Sequence, residues 1–403
     1  MNNTAPSPFP GILGRGGHRD PSAPWLDDCE PGGSEQCWYQ PVASGGRIPA
    51  DSLDHGVHRQ WGDHNNHDGA APALTVFKND LALSKEWTPV ALRPPIAWWS
   101  ALTEGGPPEY SCPDMLALPG SDKILFYSLL NRYFIGTFKN VSEGGPLFQA
   151  VRPFNHSFGL PVAFAGGAEK PARNWGLSGF SIAKTGGVGP NNALNPLSRR
   201  LMFGTMPLPE SSVLPCRDNS CSHGGTIVTL PRDLMLLTAP DGTPRLGAVF
   251  APELQLLRVN GSHTQLTSLP PGAPLPKGRS MELVVEFPTD ARTNKSFGVE
   301  LIGNVSILYD PVARVVRPEP CVGRGPGNGT AARECLMPLL LHPKEPLRVH
   351  VFIDASFVEA SVNNQSIVMV SSLSSSSENR LLGPVGAARV DSWVLDAGQV
   401  VDK

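Results

Sequence analysis

A chain of 403 residues, 40% hydrophobic and 17% charged, is long enough for two domains with separate cores and too apolar for a disordered polymer. Its formal net charge of -3 is spread without basic runs or basic-aromatic interleaving, which argues against nucleic acid and anionic membrane as partners. The 42 glycines and 42 prolines fit many short strands joined by turns better than long helices and predict an all-β protein.

Residues 1–70 read as loop-rich, with one compact phrase, Gly17-His18-Arg19-Asp20-Pro21-Ser22-Ala23-Pro24-Trp25. The stretch 54–68 holds His55, His58, His64 and His67 among aspartates, but it has no period that would bring the rings to one point, so a solvated loop is favoured over a metal site. Strand signals begin at Pro72. Ala73 to Phe77 is one strand, and Lys123 to Ser128 with Arg132 to Phe138 predict a hairpin turning at Leu129-Leu130-Asn131. Arg200 to Met206 and Gly225 to Leu230 continue the series, whose turn spacing fits a sandwich, barrel or propeller.

The proline-rich run Leu269 to Pro276 reads as part of a linker. Beyond it, Met281, Leu283, Val285 and Phe287 alternate with Glu282 and Glu286, and Leu347, Val349, Val351 and Ile353 alternate with Arg348, His350 and Asp354. That pattern predicts an antiparallel sandwich with one buried face per sheet. The run Ser371 to Ser377 is a low-complexity loop.

Compartment signals conflict. No apolar run approaches the roughly 18 residues that cross a bilayer, and the start, Met1 to Pro6, lacks the basic and apolar regions of a signal peptide, which taken alone points to the cytosol. Against that, Asn-x-Ser/Thr acceptors begin at Asn2, Asn140, Asn155, Asn260, Asn294, Asn304, Asn328 and Asn364, where composition alone gives about three. Cys29/Cys37, Cys216/Cys221 and Cys321/Cys335 form close pairs suited to local disulfides, with zinc as the competing use; Cys112 is left over. The balance favours an extracellular, secretory-pathway or vacuolar protein whose signal sequence is absent from this chain.

Several phrases occur in an order that resembles glycoside hydrolase family 32, the invertases and fructan hydrolases. Gly17 to Trp25 is similar to that family's Arg-Asp-Pro motif, Asp80-Leu81 to Trp87 to a strand phrase, Ser111-Cys112-Pro113-Asp114 to its Glu-Cys-Pro-Asp motif, and Tyr133-Phe134-Ile135-Gly136 to the strand that follows. Ala183-Lys184-Thr185, Arg199 to Gly204, Leu230-Pro231-Arg232-Asp233-Leu234 and Pro252-Glu253-Leu254 with Leu257-Arg258 keep the order. Phe352 to Glu359 resembles an Asp-Arg-Ser-x-x-Glu strand, with Ala355 where arginine is usual. The resemblance runs from Gly17 to the C-terminus.

It implies a five-bladed β-propeller with a central active site, followed by a β-sandwich, and retaining hydrolysis of β-fructosides such as sucrose without metal or organic cofactor. The expected divisions are 1–250 for a propeller lacking its first blade or blades, 251–278 for a linker and 279–403 for the sandwich.

Carried over residue by residue, Asp20 is the transition-state stabiliser, Arg19 orients it or the sugar, and Cys112 and Asp114 lie beside the substrate. The family's nucleophilic aspartate belongs upstream of Asp20, and none of the 19 preceding residues is aspartate. The residue before Cys112, where the acid/base glutamate belongs, is Ser111, which cannot donate a proton as a general acid at neutral pH. Glu109 is the candidate replacement; on a strand it faces the same way but about 6.6 Å away, at two rises of roughly 3.3 Å. A bulge would have to draw it back. The expectation is therefore an impaired β-fructofuranosidase-type hydrolase, with an inactive fructoside-binding or regulatory relative as the alternative.

Overall fold

The computed structural model describes residues 18–19, 25–30, 33–45, 72–80, 82, 88–90, 114–128, 132–138, 148–150, 156–157, 179–185, 199–207, 226–288, 294–302, 305–319, 337–354, 357–371, 378–383 and 387–396. Among them every extended element is a strand, apart from the 3-10 helix Pro252–Leu257.

The first sheet holds β1 (His18–Arg19), β2 (Trp25–Asp28), β3 (Gln36–Gly45), β4 (Pro72–Asp80) and β5 (Thr88–Val90). β1 pairs with β3 at Ala43 and Ser44 while β2 pairs with the same strand from Gln36 to Tyr39, so the two act as one interrupted strand. The result is a four-position antiparallel sheet, β1-β3-β4-β5. The β2–β3 hairpin is closed by the Cys29–Cys37 disulfide, by Cys29 N–H donating to Glu35 O at 2.8 Å, and by Tyr39 Oη donating to Asp28 O at 2.7 Å.

The second sheet repeats this build with β6 (Asp114–Ala117), β7 (Lys123–Ser128), β8 (Arg132–Phe138), β9 (Phe148–Ala150) and β10 (His156–Ser157). Here β9 and β10 share the outer flank of β8. The β6–β7 turn needs a residue at positive φ, supplied by Gly120 at 68°, and Ser121 Oγ donates to Leu118 O across it. Leu116, Leu118, Leu125 and Ile135 are buried.

A third sheet comprises β11 (Gly179–Thr185), β12 (Arg199–Pro207), β13 (Thr226–Val228), β14 (Arg232–Thr238) and β15 (Pro244–Phe250). β13 and β14 divide the flank of β12 between them. They are separated at Pro231, which has no N–H for the ladder. The continuous strand expected from Gly225 to Leu230 is thus a three-residue strand and a break.

The remaining strands form a sandwich. They are β16 (Thr264–Leu269), β17 (Ser280–Phe287), β18 (Phe297–Leu301), β19 (Val305–Asp310), β20 (Val315–Glu319), β21 (Met337–Pro338), β22 (Leu347–Asp354), β23 (Phe357–Val362), β24 (Ser366–Ser371), β25 (Arg380–Leu382) and β26 (Ala388–Val394). One sheet has the order β16-β26-β17-β22-β23-β24 and the other β21-β20-β19-β18-β25. Met281, Leu283, Val285 and Phe287, with Leu347, Val349, Val351 and Ile353, all face one core, as their alternation predicts. Phe297 packs edge-on against both Phe287 and Tyr309 in its centre. Residues 251–278 contribute to this body: β16 pairs with β26, and Ala273 and Leu275 join the core.

By compactness the chain divides into Met1–Ser157 with Lys184–Arg200, and Phe158–Ala183 with Leu201–Lys403. Within the second unit, the expectation of one buried face per sheet fails for the larger sandwich sheet. Its outward-pointing Glu282, Phe352, Glu359 and Ser361 are also buried. Phe250 and Leu254 cover Phe352, Ala248 N–H donates to Asn364 O at 2.8 Å, and Phe250 meets the Phe352 ring edge-on at 4.6 Å. The β14–β15 hairpin and the 3-10 helix roof this face, so its polar side chains need partners inside the protein rather than water.

Candidate active site

The candidate site residues belong to the first unit. Arg19 ends β1, opposite Ala43, and Asp114 opens β6, opposite Tyr127; their side chains are outside the described residues. Asp20, Glu109, Ser111 and Cys112 also lie outside the described residues, as do the histidine-rich stretch 54–68 and the pairs Cys216/Cys221 and Cys321/Cys335. Asp20 follows β1 directly in sequence, and Glu109 to Pro113 lead directly into β6. Each of these strands is the first in its sheet and stands at one end of the strand order.

The far end of β6 is bound by a residue that sequence reading placed in a strand and a family phrase but gave no site role. Arg200 is fully buried and its Nε donates to Ala117 O at 3.2 Å, tying β12 to the strand that begins at Asp114. A hydrogen bond from a buried guanidinium to this backbone carbonyl helps to hold that strand's register, because a buried charged donor is costly to leave unbonded. This is a positioning contact at three residues' distance from Asp114.

Two further phrases, apart in sequence, meet in the second unit. Arg232 Nη2 donates to Glu359 Oε2 at 2.7 Å, Leu230 N–H donates to Glu359 Oε1 at 2.8 Å, and Arg232 Nη1 donates to Leu230 O at 3.2 Å. The guanidinium also lies over the Phe250 ring, 4.5 Å from its centroid. Burial pushes the Glu359 carboxyl above its ordinary value, while Arg232 and the Leu230 amide pull it down. Sequence reading placed Glu359 only at the end of a family-like phrase, and the pairing is a tertiary event between residues 127 apart.

The same sheet face carries a second polar cluster. Arg258 grips Glu282 with Nε and Nη2, each 2.7 Å from a carboxylate oxygen, and His350 Nε2 donates to Glu282 Oε1 at 2.8 Å. Arg258 also stacks over Trp393 at 3.8 Å. Burial works against the charged Glu282, but the bonds from Arg258 and His350 outweigh it and hold the carboxyl below its ordinary value. Burial likewise lowers His350, against the pull of Glu282. Both clusters satisfy a buried interface; neither pairs two carboxyls across a space where a glycosidic bond could lie. Asp310, the only Asp-Pro aspartate of the sandwich, accepts Val312 and Ala313 N–H at 2.9 Å and so caps a turn.

No model of a known protein family matches the sequence, and no curated protein sequence matches it. Solved structures do match. Fructan 1-exohydrolase IIa from Cichorium intybus aligns with a TM-score of 0.58 at 13% identity, over 96% of this chain and 73% of that one. Sucrose-6-phosphate hydrolase from Lactobacillus gasseri aligns with 0.55 at 14%, over 96% and 67%, and exo-inulinase from Aspergillus awamori with 0.55 at 16%, over 93% and 67%. The chain has the fold of the family 32 glycoside hydrolases. In that family 32 fold a β-propeller precedes a β-sandwich, and the three four-position sheets of this chain are propeller blades. The chain spans about two thirds to three quarters of the length of these relatives. Among the described residues, no three His, Cys, Asp or Glu side chains group as metal ligands, and no helix is long and apolar enough to cross a membrane.

Proposed function

We propose that this chain descends from β-fructofuranosidases and binds β-fructosides such as sucrose or fructans, with its retaining hydrolysis impaired. The observation that carries the first half is the family 32 fold, shared with sucrose and fructan hydrolases. The second half rests on Ser111 standing directly before Cys112-Pro113-Asp114, where the resemblance calls for a glutamic acid. Without that proton donor the leaving sugar departs as an alkoxide, and loss of general acid assistance costs about a hundredfold to ten-thousandfold. The same serine supports the second reading, a catalytically inactive fructoside-binding or regulatory protein.

Asp20 is assigned to the fructose hydroxyls, Arg19 to its orientation, Cys112 and Asp114 to the flank of the sugar, and Glu109 to whatever acid/base assistance remains. Hydrolysis of sucrose and inulin by the purified chain, beside Asp20→Ala and Glu109→Gln, tests these roles. Asp20→Ala should abolish both fructoside binding and residual turnover. Turnover that Glu109→Gln leaves unchanged removes Glu109 from the proposal.

The compartment belongs to the same reading. The Cys29–Cys37 disulfide and the eight Asn-x-Ser/Thr acceptors support a secreted, extracellular or vacuolar glycoprotein. Mass spectrometry of the protein from its own cells, with thiols blocked at lysis, tests it: free thiols at Cys29 and Cys37 would contradict it.

A further inference from the structure

Six large hydrophobic side chains stand exposed among the described residues, and four of them gather at one turn. Leu256 is 85% exposed, Leu257 39%, Val259 42% and Val394 53%. They are held side by side by Val259 N–H donating to Val394 O at 2.9 Å, Asp396 N–H donating to Leu257 O at 2.7 Å, and the bridge between Arg258 and Leu395. A patch of this kind is ordinarily covered by something.

At its centre stands Asn260-Gly261-Ser262, an acceptor sequence for N-linked sugar. Asn260 is exposed, in a turn made by Gly261 at φ 75° with open space around it. Ser262 Oγ donates to Val259 O at 2.7 Å and accepts from Val394 N–H at 3.1 Å, so the acceptor turn is bolted to the patch itself.

We infer that Asn260 carries an N-linked glycan whose inner sugars lie over Leu256, Leu257, Val259 and Val394. This rests on the secretory reading above. The transfer joins the Asn260 side-chain nitrogen to the anomeric carbon of N-acetylglucosamine; the bond from that carbon to a lipid diphosphate donor breaks, and the amide proton leaves with the diphosphate. Apolar faces of the sugar rings then replace water over the valines and leucines. Of the other described acceptors, Asn294 is exposed at a bend, whereas Asn364 sits in a turn docked on β15 through its own carbonyl. A glycan there would oppose the docking.

Peptide mass spectrometry of the full chain from its own cells, with and without the amidase that turns a glycosylated asparagine into aspartate, should show conversion at Asn260 and none at Asn364. N260Q should lose one glycan's mass, S262T should keep it, and N364Q should lose none. Enzymatic trimming of the wild type should raise binding of an apolar fluorescent dye, and Leu256→Ser in the trimmed chain should reverse the rise. Glycans at Asn294 but not at Asn260 would overturn this inference and leave the secretory reading standing. Bare acceptors throughout, with reduced Cys29 and Cys37, would overturn both. Equal dye binding before and after trimming would overturn the shielding role.

Discussion

Glu359 and Glu282 share one face of one sheet and are both buried, yet one carboxyl is pushed up and the other held down. The difference is in the donors: Glu282 has a bidentate arginine and a histidine, while Glu359 has one arginine nitrogen and one amide. Removing one partner of a buried pair leaves the other charge stranded, so Glu359→Gln should destabilise the protein by about 3–5 kcal/mol, read by urea unfolding. Replacing both, as Arg232→Met with Glu359→Leu, should cost far less. Acid acts on the other cluster. The folded-state value of His350 lies below its ordinary 6.5, so as pH falls through that value the unfolded chain takes the proton first and stability declines. Glu282, lowered from 4.5, adds stability that is present above that value and lost as pH falls further, through its folded-state value. Glu359 contributes with the opposite sign, its raised value favouring the fold as pH drops toward 4.5. Unfolding midpoints followed downward from neutral pH should therefore begin to fall near 6.5, and His350→Gln should remove that first step. A midpoint flat through that range contradicts the assignment.

At the scale of elements, the sequence was most legible where the signal is local to one strand or hairpin. The hairpin Lys123 to Ser128 with Arg132 to Phe138 lies where its strand signals put it, as β7 and β8. The alternations in β17 and β22 also mark the core side correctly. Glu282 and Glu359 were illegible because their burial comes from β14, β15 and the 3-10 helix, far away in sequence, and no local period encodes a roof. The break at Pro231 was readable in principle, since proline cannot pair in a ladder. Two expected outcomes belong here. The Cys29–Cys37 bridge closes a loop with a sequence separation of 8, so Cys37→Ser should cost roughly 2–3 kcal/mol by chain-entropy reasoning, seen as a lower urea midpoint. In β18, a Cβ on Gly298 would stand 1.9 Å from Ile307 O, a backbone atom that cannot turn aside. Gly298→Ala should thus lose at least about 1–3 kcal/mol, as overpacking does, or fail to fold.

At the scale of the whole molecule, ordered short phrases revealed a family 32 fold that overall similarity of 13–16% identity leaves faint. Two of these phrases make buried tertiary contacts in this chain: Leu230 and Arg232 meet Glu359, and Arg258 meets Glu282. The proposed lapse of chemistry rests on Ser111, which stands before Cys112 where the resemblance calls for glutamic acid. Steady-state hydrolysis of sucrose by the purified wild-type chain tests it directly. Turnover at least about a hundredfold below the ordinary enzymatic range of roughly 1 to 1,000 per second is the expected result. Turnover within that range would contradict it.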